Sequence, residues 1–137
     1  MQEITVGTGR KLLEGSDVAV LSLGPIGNNV VKAIESINEE RQDVSVAHYD
    51  MRFAKPLDEQ LLEEIATRFT RIITIEDGCV TGGFGSAVTE WMTDHGYHPV
   101  IRRLGLPDQF IEHGTVSELQ QLTGLDPETI KQTILSL

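Results

Sequence analysis

Cysteine is almost missing from this chain. Cys79 stands alone, which excludes an internal disulfide and any multi-cysteine metal site. Basic residues are scarce too: 11 Lys and Arg face 21 Asp and Glu, for a formal charge of −10. A surface that grips nucleic acid needs clustered Lys and Arg, so that function class is set aside. The acidic balance implies little else, because solubility alone accounts for it. No segment approaches the ~20 apolar residues that span a bilayer, and Met1 to Arg10 lacks an apolar core of signal-peptide length. No membrane partner is expected and the cytoplasm is the default location. Internal repeats, low-complexity tracts and linkers are absent as well.

What remains is a chain of 137 residues with 39% apolar and 23% charged side chains, the composition of a soluble globular protein. Its length fits one domain, able to bury roughly two-thirds of its unfolded surface. Residues 1–8, polar and glycine-containing, read as a loose arm, leaving 9–137 as the domain.

The pattern alternates between strand and helix periods. Asp17 to Leu23 is a short apolar run bounded by Gly15-Ser16 and Gly24-Pro25, a buried strand. Ile26 to Arg41 carries Ile26, Val30, Val31, Ile34 and Ile37 at helical spacing. Val44 to Tyr49 alternates like a strand. Pro56-Leu57-Asp58 opens a helix with Asp58 as its cap and Leu61, Leu62, Ile65, Ala66 and Phe69 on its apolar face. Arg71 to Ile75 is a third buried strand. Phe84, Ala87, Val88, Trp91 and Met92 mark a helix that stops near Gly96, and Pro99 to Leu104 is a fourth strand. Two short helices are predicted in the tail, Thr115 to Leu122 and Asp126 to Leu137, with Thr115 and Asp126 as caps. Lys11 to Leu13 supplies a fifth, edge strand. The expected fold is a three-layer α/β/α sandwich around a mainly parallel sheet of about five strands, with one antiparallel edge strand allowed.

In such folds ligands gather at the carboxyl ends of the strands, and five features fall there. Gly24-Pro25-Ile26-Gly27 opens a helix and could present free N–H groups to an anion. It matches neither the dinucleotide fingerprint nor a P-loop, which favours a plain tight turn. Gly82-Gly83-Phe84-Gly85 permits close backbone approach, to a ligand or, as the favoured reading, to a packed neighbour. Glu76 and Asp77 end a buried strand, where a desolvated carboxyl could act as a general acid. The plainer reading has them accept N–H bonds from the glycine loop or pair with Arg52 or Lys55. Arg52 and Lys55 precede Pro56 and offer either a phosphate clamp or that ion pair. His113, in Leu106 to Gly114, is a substrate-facing residue or a cap of the Thr115 helix. His48, His95 and His98 lack metal-ligand spacing. Cys79 has no nearby histidine and no framework for nucleophilic catalysis.

Taken in order, these segments carry a resemblance. Asp50 to Asp58 (DMRFAKPLD), Glu76-Asp77-Gly78 with Gly82 to Ser86, and Leu106-Pro107-Asp108 through Phe110-Ile111 to His113-Gly114 together resemble the C-terminal domain of the 1-deoxy-D-xylulose-5-phosphate synthase family, in the transketolase superfamily. The likeness runs from about Gly9 to Leu137. Its marker residues are Arg52, Lys55, Pro56, Asp58, Glu76, Gly82, Gly83, Gly85, Asp108 and His113.

The resemblance implies a part of an enzyme. Enzymes of this family condense pyruvate with glyceraldehyde 3-phosphate, release carbon dioxide and feed isoprenoid, thiamine and pyridoxal synthesis. They work as homodimers with thiamine diphosphate and Mg²⁺. The cofactor belongs to the family's first two domains, and its diphosphate motif is missing here, since Gly15-Ser16-Asp17 and Glu76-Asp77-Gly78 both fail it. No catalytic, cofactor-binding or metal residue is therefore expected on this chain. The marker residues are expected to serve packing against the N-terminal and middle domains or the dimer interface. Two alternatives stay open: an anion- or nucleotide-binding α/β module, and a separately encoded interaction subunit.

Overall fold

The computed structural model describes residues 9–41, 43–52, 57–79, 83–106 and 125–137. Five strands, β1 (Arg10–Leu13), β2 (Val18–Leu23), β3 (Val46–Asp50), β4 (Arg71–Cys79) and β5 (Val100–Leu106), form one sheet in the order β1-β3-β2-β4-β5. The pairs β2–β3, β2–β4 and β4–β5 are parallel, while β1 runs antiparallel along β3. This is the expected mainly parallel sheet with an antiparallel edge. Among the described residues the connecting helices are α1 (Gly27–Glu40), α2 (Glu59–Arg68) and α3 (Phe84–Asp94), followed by α4 (Pro127–Ser136). The predicted helix Thr115 to Leu122 and the loose arm at 1–8 lie outside the described residues.

Chain direction decides which helix covers which face. From β2 the chain steps through α1 to β3 on one side, whereas β3→β4 and β4→β5 step the opposite way. Right-handed crossovers then put α1 on one face and α2 and α3 on the other. The cores follow. Val18 and Val20 of β2, Val46 of β3, and Ile73 and Ile75 of β4 pack with α1 and α4 residues. Ala19, Leu21, Ala47, Tyr49 and Ile72 pack with α2 and α3 residues. The period of two along each strand thus feeds both layers.

Each helix shows why it starts where it does. Gly24 has φ 91°, a turn conformation glycine takes without steric cost, and α1 buries Val30, Ala33, Ile34 and Ile37 at helical spacing. Asp58 caps α2 by accepting the Leu61 N–H at 3.0 Å. Glu59 in its first turn and Arg68 in its last turn complement the helix dipole. Asp126 caps α4 ahead of Pro127. α1 and α4 are tied by Lys131, whose Nζ reaches Glu40 Oε2 at 2.6 Å and Ser36 Oγ at 3.2 Å. Trp91 Nε1 donates to Glu59 across α2 and α3 at 3.1 Å. No helix among the described residues is long and apolar enough to cross a membrane.

Candidate functional site

The strand order reverses between β2 and β4, so the carboxyl rim at that point is where an open α/β sheet offers a crevice. Leu23 and Glu76 form the last register pair of those strands.

On the β2 side the turn consumes its own donors. Gly27 N donates to Gly24 O at 3.1 Å, Asn28 N to Pro25 O at 3.0 Å and Asn29 N to Ile26 O at 2.9 Å. The leading N–H groups of α1 are therefore not available to an anion. Gly24 to Gly27 is the structural tight turn that its sequence favoured.

On the β4 side Glu76 is 5% exposed. Its Oε2 accepts the backbone N–H of Phe84, the first residue of α3, at 2.7 Å. Desolvation pushes this carboxyl above the usual carboxylate range, opposed by the Phe84 hydrogen bond. Of the alternatives open to Glu76, acceptance from the glycine-loop helix is the one formed. The pairing expected between Arg52 and Glu76 is not: among the described residues Glu76 enters no ion pair. Arg52 instead sits at φ 61°, its N–H held by Asp50 Oδ1 at 3.1 Å. The other expected pairings, through Lys55 or Asp77, rest on side chains outside those described.

The second glycine turn packs tightly. A Cβ at Gly85 would lie 2.6 Å from Thr74 Oγ1, one alternate residue below Glu76 on the same face of β4. Arg103 extends from β5 beside it, Nη1 donating to Ser86 Oγ at 3.0 Å. Asp58 has a second task beyond its cap, since Oδ2 accepts the N–H of Gly9 at 2.9 Å and fastens the start of the domain to α2. Gly83 is the residue before α3. Lys55, Pro56, Gly82, Asp108 and His113 lie outside the described residues.

One polar pair escaped the sequence reading. His48 Nε2 lies 2.8 Å from Ser22 Oγ, both side chains 1% exposed. Burial pushes the imidazole down to about 4, partly opposed by Asp50, so it is neutral near pH 7. The signal was present: the alternation that buries Val46 puts His48 on the same face.

Elsewhere, a cleft of about 280 Å³ at the opposite end of the sheet contains Arg41 and Arg71. Both guanidiniums are engaged, Arg41 with Asp43 at 2.9 Å and Arg71 with the Leu137 carbonyl at 3.1 Å. Among the described residues no group of three or more His, Cys, Asp or Glu could hold a metal ion. With the first N–H groups of α1 and that of Phe84 already bonded, the described residues do not fit a diphosphate–Mg²⁺ group.

These features define a doubly wound α/β domain whose described rim is built from packed turns. Residues 7–130 match the family model for the transketolase C-terminal domain, and the chain belongs to that family. It is 58% identical over 134 residues to a 1-deoxy-D-xylulose-5-phosphate synthase of Parabacteroides distasonis, covering 98% of this chain and 21% of that relative. With a Bacteroides thetaiotaomicron protein of the same name it shares 53% over 135 residues, again 98% of this chain and 21% of the relative. Among solved structures it superposes on a split-gene transketolase described as an inactive β4 tetramer. The TM-score is 0.87 at 29% identity, covering 98% of this chain and 43% of that one. The chain therefore spans about a fifth of the length of the curated relatives it matches.

Proposed function

We propose that this chain serves as the C-terminal domain of a 1-deoxy-D-xylulose-5-phosphate synthase. Identity of 58% across 98% of the chain to a protein of that name carries this reading. The whole enzyme would condense pyruvate with glyceraldehyde 3-phosphate using thiamine diphosphate and Mg²⁺, as a homodimer in the cytoplasm. This domain's part is assembly. It packs against the N-terminal and middle domains and holds no cofactor itself, and residues 1–8 lead into it as an arm.

The described marker residues support a packing role: Asp58 fastens Gly9 and caps α2, Glu76 holds the start of α3, and Gly85 lies against Thr74. Arg52 lies two residues beyond the end of β3, its N–H bonded to Asp50, and Gly83 precedes α3. Lys55, Pro56, Gly82, Asp108 and His113 are assigned the same role by motif alone.

Isothermal calorimetry of the 137-residue chain with thiamine diphosphate and Mg²⁺ is expected to show no binding; micromolar affinity would overturn the proposal. A second reading, a separately encoded subunit, draws on the split-gene transketolase that superposes on this chain. The coding sequence upstream of Met1 separates the two, since an open frame running into it favours the domain and a stop codon favours the subunit.

A further inference from the structure

We infer that the outer edge of β5 takes an added strand, an extended acidic segment of the full-length polypeptide that lies outside this chain. The inference rests on the reading that the chain is one domain of a longer enzyme.

The sheet ends in two unlike edges. β1 is 4 residues long, and its register against β3 shifts between Lys11 and Leu13. Its basic residues already have partners, Arg10 with Asp50 and Lys11 with Glu14. A short, bulged strand is a poor template for another. β5 is different, because its register with β4 is unbroken from Val100 to Leu104. Val100 N donates to Thr70 O at 2.8 Å. Backbone direction alternates along a strand, so Val100, Arg102 and Leu104 turn their N–H and C=O groups to β4. Ile101 and Arg103 turn theirs outward. No strand among the described residues pairs with that side.

Side chains identify the occupant. Val100 is 60% exposed, and Ile101 borders a groove of about 250 Å³ together with Met92, Tyr97 and Pro99. A strand laid along β5 covers the first and sets an alternate side chain beside the second. Arg102 and Arg103 are exposed, on opposite faces of the strand. Neither enters an ion pair among the described residues, and Arg103 donates to the Ser86 hydroxyl. Opposite charges across neighbouring strands stabilise the pair and like charges oppose it. The added strand therefore carries Asp or Glu beside the two arginines. A second copy is disfavoured by the same rule, since two β5 strands paired antiparallel about their middle set Arg103 against Arg103. The relatives are long enough to supply the strand, because this chain covers only 21% of their length.

The test is hydrogen–deuterium exchange resolved to single residues, in this chain alone and in the full-length polypeptide that contains it. In the isolated chain the outward amides of Ile101 and Arg103 are expected to exchange freely at every protein concentration. In the full-length protein both are expected to slow by about tenfold or more. Arg102→Glu should leave the melting temperature of the isolated chain unchanged and return both amides of the full-length protein to fast exchange. Equal rates in the two settings overturn the inference. If both are fast, the arginines serve only to keep other strands off the edge. Protection of the isolated chain that grows with concentration overturns it too, because the occupant is then a second copy. So does protection that survives Arg102→Glu in the full-length protein. The synthase reading fails separately. If the full-length wild type makes no deoxyxylulose phosphate from pyruvate and glyceraldehyde 3-phosphate, that reading falls whatever the β5 amides do.

Discussion

Ser22 Oγ lies 2.8 Å from His48 Nε2 in a site both side chains share at 1% exposure. A histidine there folds neutral. Its value of about 4 stands below the ordinary 6.5, so the unfolded chain takes up a proton that the folded chain refuses. Stability therefore falls as pH drops from about 6.5 towards 4 and levels off below that, with a loss on the order of 3 kcal/mol at full span. Glu76 works in the opposite sense. Its raised value lets the folded state keep a proton that the unfolded state releases, so its contribution is present in acid and lost as pH rises through the folded value. Urea denaturation of His48→Gln at pH 7, 5.5 and 4.5 should show a shallower acid loss than wild type, by about 2–3 kcal/mol at pH 4.5. Parallel curves for the two proteins would mean that His48 is not the residue titrating.

At the scale of elements, the start of α3 depends on a close approach between helix and strand. A Cβ on Gly85 would stand 2.6 Å from Thr74 Oγ1 and 3.1 Å from Arg103 Cγ. Alanine gains roughly 1 kcal/mol of helix propensity over glycine, but overpacking against a buried strand costs typically 1–3 kcal/mol. Gly85→Ala is expected to lose about 1–2 kcal/mol net. Thr74→Ala, which deletes the obstructing hydroxyl, should restore most of it in the double variant, a coupling readable by a double-mutant cycle. Additive effects would place the strain elsewhere. Asp58→Ala removes both the cap on Leu61 and the hold on Gly9, and a loss of about 1–2 kcal/mol by thermal melting is expected.

These contacts also mark how far the sequence could be read. Asp58 is legible as a cap from its place before Leu61, Leu62 and Ile65, because capping is local. Its bond to Gly9 spans 49 positions and leaves no local trace. The same divide separates the Gly24 turn, visible as glycine and proline between strand and helix, from the meeting of Gly85 with Thr74. The edge strand at Lys11 to Leu13 was legible as apolar residues near the start. Its register shift between Lys11 and Leu13 against β3 was not, since a bulge depends on the partner strand. A pairing of Arg52 or Lys55 with Glu76 or Asp77 was expected from charge alone; Arg52 and Glu76 do not form it, and the backbone N–H of Arg52 bonds to Asp50, a local turn that charge does not reveal.

For the whole molecule, the question is whether two apolar layers behave as one. They lie on opposite faces of a single sheet and share no side chain, yet β2, β3 and β4 contribute alternate residues to both. Loosening one face must therefore disturb strands that form the other, and a domain of this size is expected to unfold as one unit. The lone tryptophan gives a probe on one side, because Trp91 belongs to the layer under α2 and α3. Ile134, on α4 and 1% exposed, belongs to the layer under α1. Ile134→Ala deletes buried carbon atoms far from the indole and should cost about 2–4 kcal/mol. Trp91 fluorescence and far-ultraviolet circular dichroism are expected to report the same lowered denaturation midpoint. If the fluorescence midpoint stays at its wild-type value while the dichroism midpoint falls, the α1/α4 layer melts alone and the sheet does not couple the faces. Coincident shifts mean that the strands shared by the two layers make both faces melt as one cooperative unit.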